Sequence, residues 1–308
     1  MNNLKNTRHA YLIVAHNNFS VLEKLIQLLD DERNDIYIHL DAKVKNFDFP
    51  FYENLVRKSQ LIYTHKRIDV IWAGVSQIES ELLLFQQALA NEKGRYSYYH
   101  LLSGVDLPIK SQDYIHNFFD MNKGKEFIGF DIQPWRDDGV RYVNILTRFR
   151  NRRKLRPIIF KLNKIFAILQ KTLNINMLAR GGHINTKHGC NWVSLSNDCV
   201  KFIVKEMKND ITLYKRSYCA DEVYKQTLVY KSEFKDRIYL PNCGDEFQSC
   251  MRAIDWKRGN PYIYTSEDFD QLINSNRLFA RKFDENKDMD IVNKIYHHLS
   301  TLQNKEKS

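Results

Sequence analysis

The chain has 308 residues, 43% of them hydrophobic and 27% charged, with a formal net charge of +10. Its 17 Tyr and 18 Phe, set against 11 Gly and 6 Pro, exclude a disordered or low-complexity chain, and no internal repeat is present. Five cysteines (Cys190, Cys199, Cys219, Cys243 and Cys250) with no C-x-x-C argue against a disulfide framework and a zinc site, and they fit a reducing compartment.

In chain order, residues 9–16 form a short apolar run that reads as a buried strand. The residues before it carry no apolar h-region, so no secretory signal is expected. Residues 19–29 have helical spacing, with Leu22, Leu25, Ile26 and Leu29 on one face and Ser20 and Glu23 as a capping box. Residues 35–41 read as a second buried strand, so strand, helix and strand make a βαβ unit over a parallel sheet. A third strand is expected at 61–63, and an amphipathic helix at 74–90 with Val75, Ile78, Leu82, Phe85 and Leu89 on one face. A fourth strand at 98–102 runs into the loop 103–110, at the strand end where open α/β sheets collect ligands. A helix is expected at 113–121 and a strand at 126–130.

The pattern then changes. Between Arg141 and Arg156 lie seven basic residues and no acidic one, a stripe suited to nucleic acid, anionic lipid, a phosphorylated substrate or plain solvent. Residues 157–173 are apolar but broken by Lys161, Lys164 and Lys171. That is an amphipathic helix, packed on the protein or lying on a membrane, and not a span. A strand at 190–195 and helices at 197–207 and 221–230 follow, then a helix-like stretch at 266–273. The reading is one α/β domain over 1–308, a mostly parallel central sheet flanked by helices, with a basic amphipathic segment at about 135–185.

Neither G-x-G-x-x-G nor a P-loop is present. D-x-D occurs only late, as Asp268–Asp270 and Asp288–Asp290, and both pairs read as solvated acids. Asp106 stands alone in its loop. Glu222, at the start of a helix, is either an ordinary cap or a general base whose charge the helix dipole favours. His16, His39, His65, His100, His183 and His188 are scattered and read as structural. Trp72 reads as core or as a stacking platform for a base or sugar ring. Arg281 and Lys282, flanked by Phe279 and Phe283, either snorkel to water or aim a cationic pair into a site.

These pieces, in this order, resemble the core-2/I-branching N-acetylglucosaminyltransferase family, which includes the peptide O-xylosyltransferases. The matching blocks are residues 9–16, 38–43, 72–88, 99–110, 189–195, 220–228 and 278–284, the loop Leu-Leu-Ser-Gly-Val-Asp-Leu-Pro-Ile-Lys and the close Phe-Ala-Arg-Lys-Phe-Asp being the most specific. The likeness looks nearest to short bacterial members. It implies a GT-A-like fold, an inverting reaction, a UDP-sugar donor and no metal or other cofactor. It implies Glu222 as base and Lys282 with an upstream arginine at the diphosphate; Arg258 stands at that place, with Lys257 beside it.

On this reading the nucleotide lies near Ala15, His16, Asp41, Ser103, Gly104 and Asp106. Arg281, Lys282 and Arg258 neutralise the diphosphate, while Asp221, Trp192 and Trp72 serve the acceptor side. The acceptor is a glycan or lipid-linked glycan in cell-surface polysaccharide synthesis. The protein is expected in the cytoplasm, peripheral on the inner membrane face through Arg150, Arg152, Arg153 and Lys154. The alternatives are a basic α/β module for RNA, which no RRM, KH or OB signature supports, and a fold that has lost its activity. No nucleic-acid partner is expected.

Overall fold

The computed structural model describes residues 7–91, 96–131, 135–177 and 185–305. β1 (Arg8–Ala15) and β2 (Asn34–Leu40) pair in parallel across α1 (Phe19–Leu29). After α2 (Phe49–Glu53), β3 (Gln60–Tyr63) adds in parallel to β2. α3 (Val75–Leu89) returns the chain to β4 (Tyr96–Ser103), parallel to β1 on its other side. The chain passes through β5 (Asp106–Pro108), α4 (Gln112–Met121), α5 (Trp135–Arg141) and α6 (Arg156–Thr172) before β6 (Ser194–Ser196) closes the sheet antiparallel to β4. The strand order is β3-β2-β1-β4-β6.

Parallel strands carry helices on both faces and are therefore apolar on both. Tyr11, Ile13 and Ala15 face one core, built with Leu22 and Leu25 of α1, Phe119 of α4, and Ile291 and Ile295 of α11 (Met289–Lys305). Ala10 and Leu12 face the other, built with Ile78 and Phe85 of α3, Val200 and Ile203 of α7 (Asn197–Asp210), and Tyr224 of α8 (Tyr224–Tyr230).

After α9 (Glu246–Ser249), β7 (Arg252–Ile254) pairs in parallel with β8 (Phe279–Arg281), and α10 (Phe269–Ile273) lies between them in sequence. β8 also pairs antiparallel with β5, Leu107 opposite Ala280. This small sheet joins the 103–110 loop to the 278–284 close.

Four local expectations are corrected. Ser20 does not cap α1: Asn18, in the left-handed region, is the cap residue, and the Ser20 amide donates to the Glu285 carboxylate at 2.8 Å instead. Residues 126–130 form isolated bridges, Glu126 to Ile238 and Phe127 to Ser194, because the sheet edge they approach is already short. The 190–195 strand shrinks to Ser194–Ser196. The helix at 221–230 begins only at Tyr224, preceded by a single 3-10 turn over Ala220–Glu222.

Candidate active site

The C-terminal ends of β1, β2 and β4 meet at one place. The Asp41 amide donates to the Ala15 carbonyl at 3.0 Å, and the Gly104 amide to the Val14 carbonyl at 2.9 Å. Gly104 lies so close to β1 that a Cβ there would stand 3.1 Å from the Ala15 Cβ, tighter than side chains ordinarily pack. Ala15, His16, Asp41, Ser103 and Gly104 are thus brought together, as their places at strand ends require. Asp41 is buried and ion-paired with Lys43 at 2.8 Å.

Asp106 is not alone. Its buried carboxylate accepts from the Ser103 amide at 2.9 Å and from the Arg281 guanidinium at 2.8 Å. The other face of that guanidinium lies 4.2 Å from the Trp192 ring centroid. Burial raises the Asp106 pKa, and the Arg281 charge and the Ser103 amide pull against it. Trp192 therefore belongs with the cations in this structure. The pair Arg281 and Lys282 neither snorkels freely nor sits exposed; both are half-buried.

Lys282 follows directly, and its ammonium pKa is lowered first by burial and next by the Arg281 charge, with Asp284 opposing. His16 stands at the mouth between the two groups. Its surface is partly open, yet desolvation by the groups around it lowers its pKa; Asp41 works the other way, and Arg281, Lys43 and Lys282 add to the lowering. One imidazole thus feels the β2 end and the β8 end together, and the Asp106 carboxylate, shared by the Ser103 amide and the Arg281 guanidinium, sets Arg281 beside the end of β4. The concentration of cations favours a di-anion there.

Glu222 lies on a second wall. It is half-buried, two residues before α8, so the dipole argument is weaker than a first-turn position would make it. Its carbonyl accepts from the Gly189 amide at 3.0 Å. Gly189 crosses Gly129 so closely that a Cβ would overlap the Gly129 carbonyl oxygen, which explains a glycine there. Three residues beyond Gly189 is Trp192, stacked on Arg281, so one short stretch of chain links the Glu222 backbone to the Arg281 guanidinium.

Beneath Glu222 is a buried polar network that the sequence reading missed. The Glu81 carboxylate accepts from Lys225 at 2.6 Å, Tyr224 at 2.8 Å and Asn191 at 2.8 Å. Lys225 also donates to the Asn191 side chain at 2.5 Å and to the Asp221 carbonyl at 3.0 Å. The signal was an acid, Glu81, on the inward face of α3 between Ile78 and Leu82. Asp221 is buried, accepts from Gln77 at 3.1 Å and has its pKa raised by burial and by the charges of Glu222 and Glu81. Its carboxylate is thus engaged by Gln77 of α3, and its backbone carbonyl by Lys225.

The core reading of Trp72 is overturned: the side chain is 42% exposed. It faces Tyr218 at 5.9 Å and Phe160 at 6.2 Å, with the Arg156 guanidinium 4.7 Å above it. The Glu222 amide donates to the carbonyl of Cys219, next to Tyr218 in sequence, at 3.2 Å, so this aromatic group adjoins the Glu222 wall. Arg150 is fully buried and donates to the carbonyls of Ala73 and Ser217, which removes it from any lipid-facing set.

Arg258 is held by Asp255 at 2.5 Å and Asp268 at 2.7 Å, so its charge is largely committed. It is linked to the cationic pair through Tyr264, whose ring lies 6.0 Å from the guanidinium and whose amide donates to the Lys282 carbonyl at 3.0 Å. The late acidic pairs are not simply solvated. Asp268 is buried in a capping box with Thr265, and Asp288 accepts from the Ser266 and Ile291 amides. Among the described residues no three His, Cys, Asp or Glu side chains gather as a metal site. His39, His100 and His188 are buried with partners, as a structural role requires, whereas His16 and His65 are exposed; His183 lies outside the described residues. All five cysteines are free.

The model of the Core-2/I-Branching enzyme family matches residues 9–287. A xylosyltransferase of Caenorhabditis elegans, sqv-6, is 23% identical over 279 residues, covering 83% of this chain and 32% of that protein. The human N-acetyllactosaminide beta-1,6-N-acetylglucosaminyl-transferase is 24% identical over 300 residues, covering 90% of this chain and 68% of its own. The chain thus spans about a third of the worm relative's length. Among solved structures, the apo form of mouse Xyloside xylosyltransferase 1 superposes with a TM-score of 0.37 at 10% identity, over 89% of this chain and 97% of that one.

Proposed function

The chain belongs to the core-2/I-branching enzyme family, and on that premise we propose that it is an inverting, UDP-sugar-dependent glycosyltransferase with a GT-A-like fold. The sugar is N-acetylglucosamine or xylose, the two named by its relatives, and the acceptor is a hydroxyl of a glycan or lipid-linked glycan. The observation that supports this reading is the β5–β8 pairing, in which Arg281, next to Lys282, bonds Asp106 beside the Ser103 end of β4, the kind of strand end where open α/β sheets take their ligands.

In the proposed reaction the nucleotide lies against Ala15, His16, Asp41 and the 103–106 loop. Glu222 accepts the proton of the acceptor hydroxyl as its oxygen attacks the anomeric carbon. The bond from that carbon to the diphosphate oxygen breaks on the opposite face, and UDP leaves with the electron pair. Negative charge grows on the leaving oxygen, and Lys282 and Arg281 stabilise it. Two adjacent cations make a bound metal dispensable in this scheme. The engagement of Asp268 and Asp288 in backbone capping supports it.

The protein is further proposed to work peripherally at the inner membrane face, on acceptors of cell-surface polysaccharide synthesis. Arg152, Arg153 and Lys154 are exposed and suit an anionic surface, each contributing about 1 kcal/mol.

The test is UDP release from a panel of UDP-sugars with and without EDTA. Donor-specific release that survives EDTA supports the scheme. Release abolished by EDTA would reject metal independence, and absence of both release and donor binding by calorimetry would reject the transferase reading.

A further inference from the structure

The 17-residue helix α6 is built inside out. Its polar residues turn inward: Asn163 exchanges hydrogen bonds with the Ile145 backbone at 2.7 and 3.1 Å, and Gln170 with the Val143 backbone at 2.9 and 3.1 Å. Ile159 and Gln170 are the buried positions of the helix, with Asn163 and Phe166 half-buried. Most of the other large apolar residues turn outward. Ile158 and Ile165 are each 58% exposed, Ile168 59%, Leu169 52% and Leu162 41%. Ile158, Leu162, Ile165 and Leu169 are spaced i, i+4, i+7 and i+11, which is one continuous stripe on a helix. Lys161, Lys164 and Lys171 form the adjoining stripe and are exposed.

A soluble surface does not keep such a stripe in water without cause. The charge pattern identifies what covers it. No Asp or Glu occurs between Asp138 and Asp198, whereas that stretch includes Arg148, Arg152, Arg153, Lys154 and the three lysines of α6. An apolar stripe edged by cations alone matches the headgroup–acyl boundary of an anionic bilayer. The helix is roughly 25 Å long, and no helix among the described residues is long and apolar enough to cross a membrane.

We infer that α6 lies in the plane of an anionic membrane, with Ile158, Leu162, Ile165 and Leu169 immersed among the acyl chains and its lysines at the headgroups. This deepens the proposed peripheral attachment and rests on it, replacing purely electrostatic contact by insertion. It also bears on the acceptor. Phe160 of α6 packs against Tyr218 at 5.4 Å and Trp72 at 6.2 Å, and Cys219, next to Tyr218, accepts from the Glu222 amide at 3.2 Å. Immersion of α6 therefore holds the Glu222 wall at the headgroup level, where a glycan on a lipid carrier is presented.

The test is flotation of the full chain with phosphatidylcholine vesicles, with and without phosphatidylglycerol, at low salt and at about 0.5 M salt, where surface charge is screened. The triple variant Ile158→Ser, Ile165→Ser, Leu169→Ser should lose roughly a hundredfold or more in partitioning to the anionic vesicles. It should keep UDP release from free donor, which also shows that it folds. The wild type should retain part of its binding at high salt, and Lys161→Gln, Lys164→Gln, Lys171→Gln should remove mainly the salt-sensitive part. Equal binding of wild type and the apolar variant would overturn insertion while leaving electrostatic attachment. A wild type that floats with neither vesicle would overturn both; if it is then a dimer that the apolar variant dissociates, the stripe is covered by a second copy. Vesicle binding as expected with no UDP release from any donor would count against the transferase reading alone.

Discussion

The Arg281 guanidinium donates to the buried Asp106 carboxylate at 2.8 Å across 175 residues of sequence. The pair ties the end of β8 to the loop after β4, and Trp192 closes over the guanidinium's other face. Arg281 is thereby aimed before any ligand arrives, and Lys282 inherits that position from its neighbour.

Removal of one partner should expose the cost of the other. Arg281→Gln leaves the Asp106 carboxylate buried without its cation and should lower stability by roughly 3 kcal/mol. Asp106→Asn in the same chain should restore most of that loss but not donor affinity. Chemical denaturation and donor calorimetry on the single and double variants check this; parallel recovery of both properties would reject a donor-binding role for Arg281.

Glu222→Gln keeps the shape of the wall and removes the proton acceptor. Turnover should fall by a factor on the order of 10² to 10⁴, with donor affinity unchanged. Steady-state rates with an acceptor, set beside donor calorimetry, separate the two quantities. Near-normal turnover would remove Glu222 from the reaction.

The Lys282 ammonium is held below the usual lysine range by burial and by Arg281. Donor binding needs the protonated form, so affinity should decline at a lower pH on the alkaline side than an ordinary lysine would dictate. Arg281→Gln removes the neighbouring charge and should move that decline upward in pH, even though affinity at neutral pH drops. Donor Kd measured across the alkaline range tests the direction; a decline that does not move would show that Lys282 is not the group titrating.

Glu126 supplies a stability signature independent of the site. It is fully buried, and burial raises its pKa from 4.5 to about 7 against hydrogen bonds from Ser196. The folded state therefore holds the proton that the unfolded chain releases, so stability present below about 4.5 is lost as pH rises to about 7. The loss should amount to about 3 kcal/mol, and Glu126→Gln should flatten it. Thermal melts across this window decide; an unchanged slope in the variant would assign it to other groups.

The parallel β1-α1-β2 unit was legible in the chain because a strand buried on both faces must be apolar throughout, and a covering helix must repeat at 3.6 residues. The same local rules reached α3, β4, α4 and α6. They failed at 126–130 and 190–193, where strand-like residues make isolated bridges or single hydrogen bonds in place of a continuous ladder, and at Ser20, where Glu285 from the far end of the chain occupies the amide that a cap would use.

The candidate site divides along the same line. Composition and order along the chain determined which side chains carry charge and which loops end strands: Asp41, the 103–106 loop, Glu222, Arg281 and Lys282. Only the tertiary structure decided that Asp106 is the partner of Arg281, that Trp192 stacks on it and that Arg258 is committed to Asp255 and Asp268. It also decided that Trp72 is exposed while Arg150 is buried, and that the apolar stripe of α6 faces outward. Periodicity reports that a helix has two faces. Which face meets the protein depends on what its neighbours offer, and here the open backbone at 143–145 takes the amides of Asn163 and Gln170 and leaves Ile158, Leu162, Ile165 and Leu169 outside.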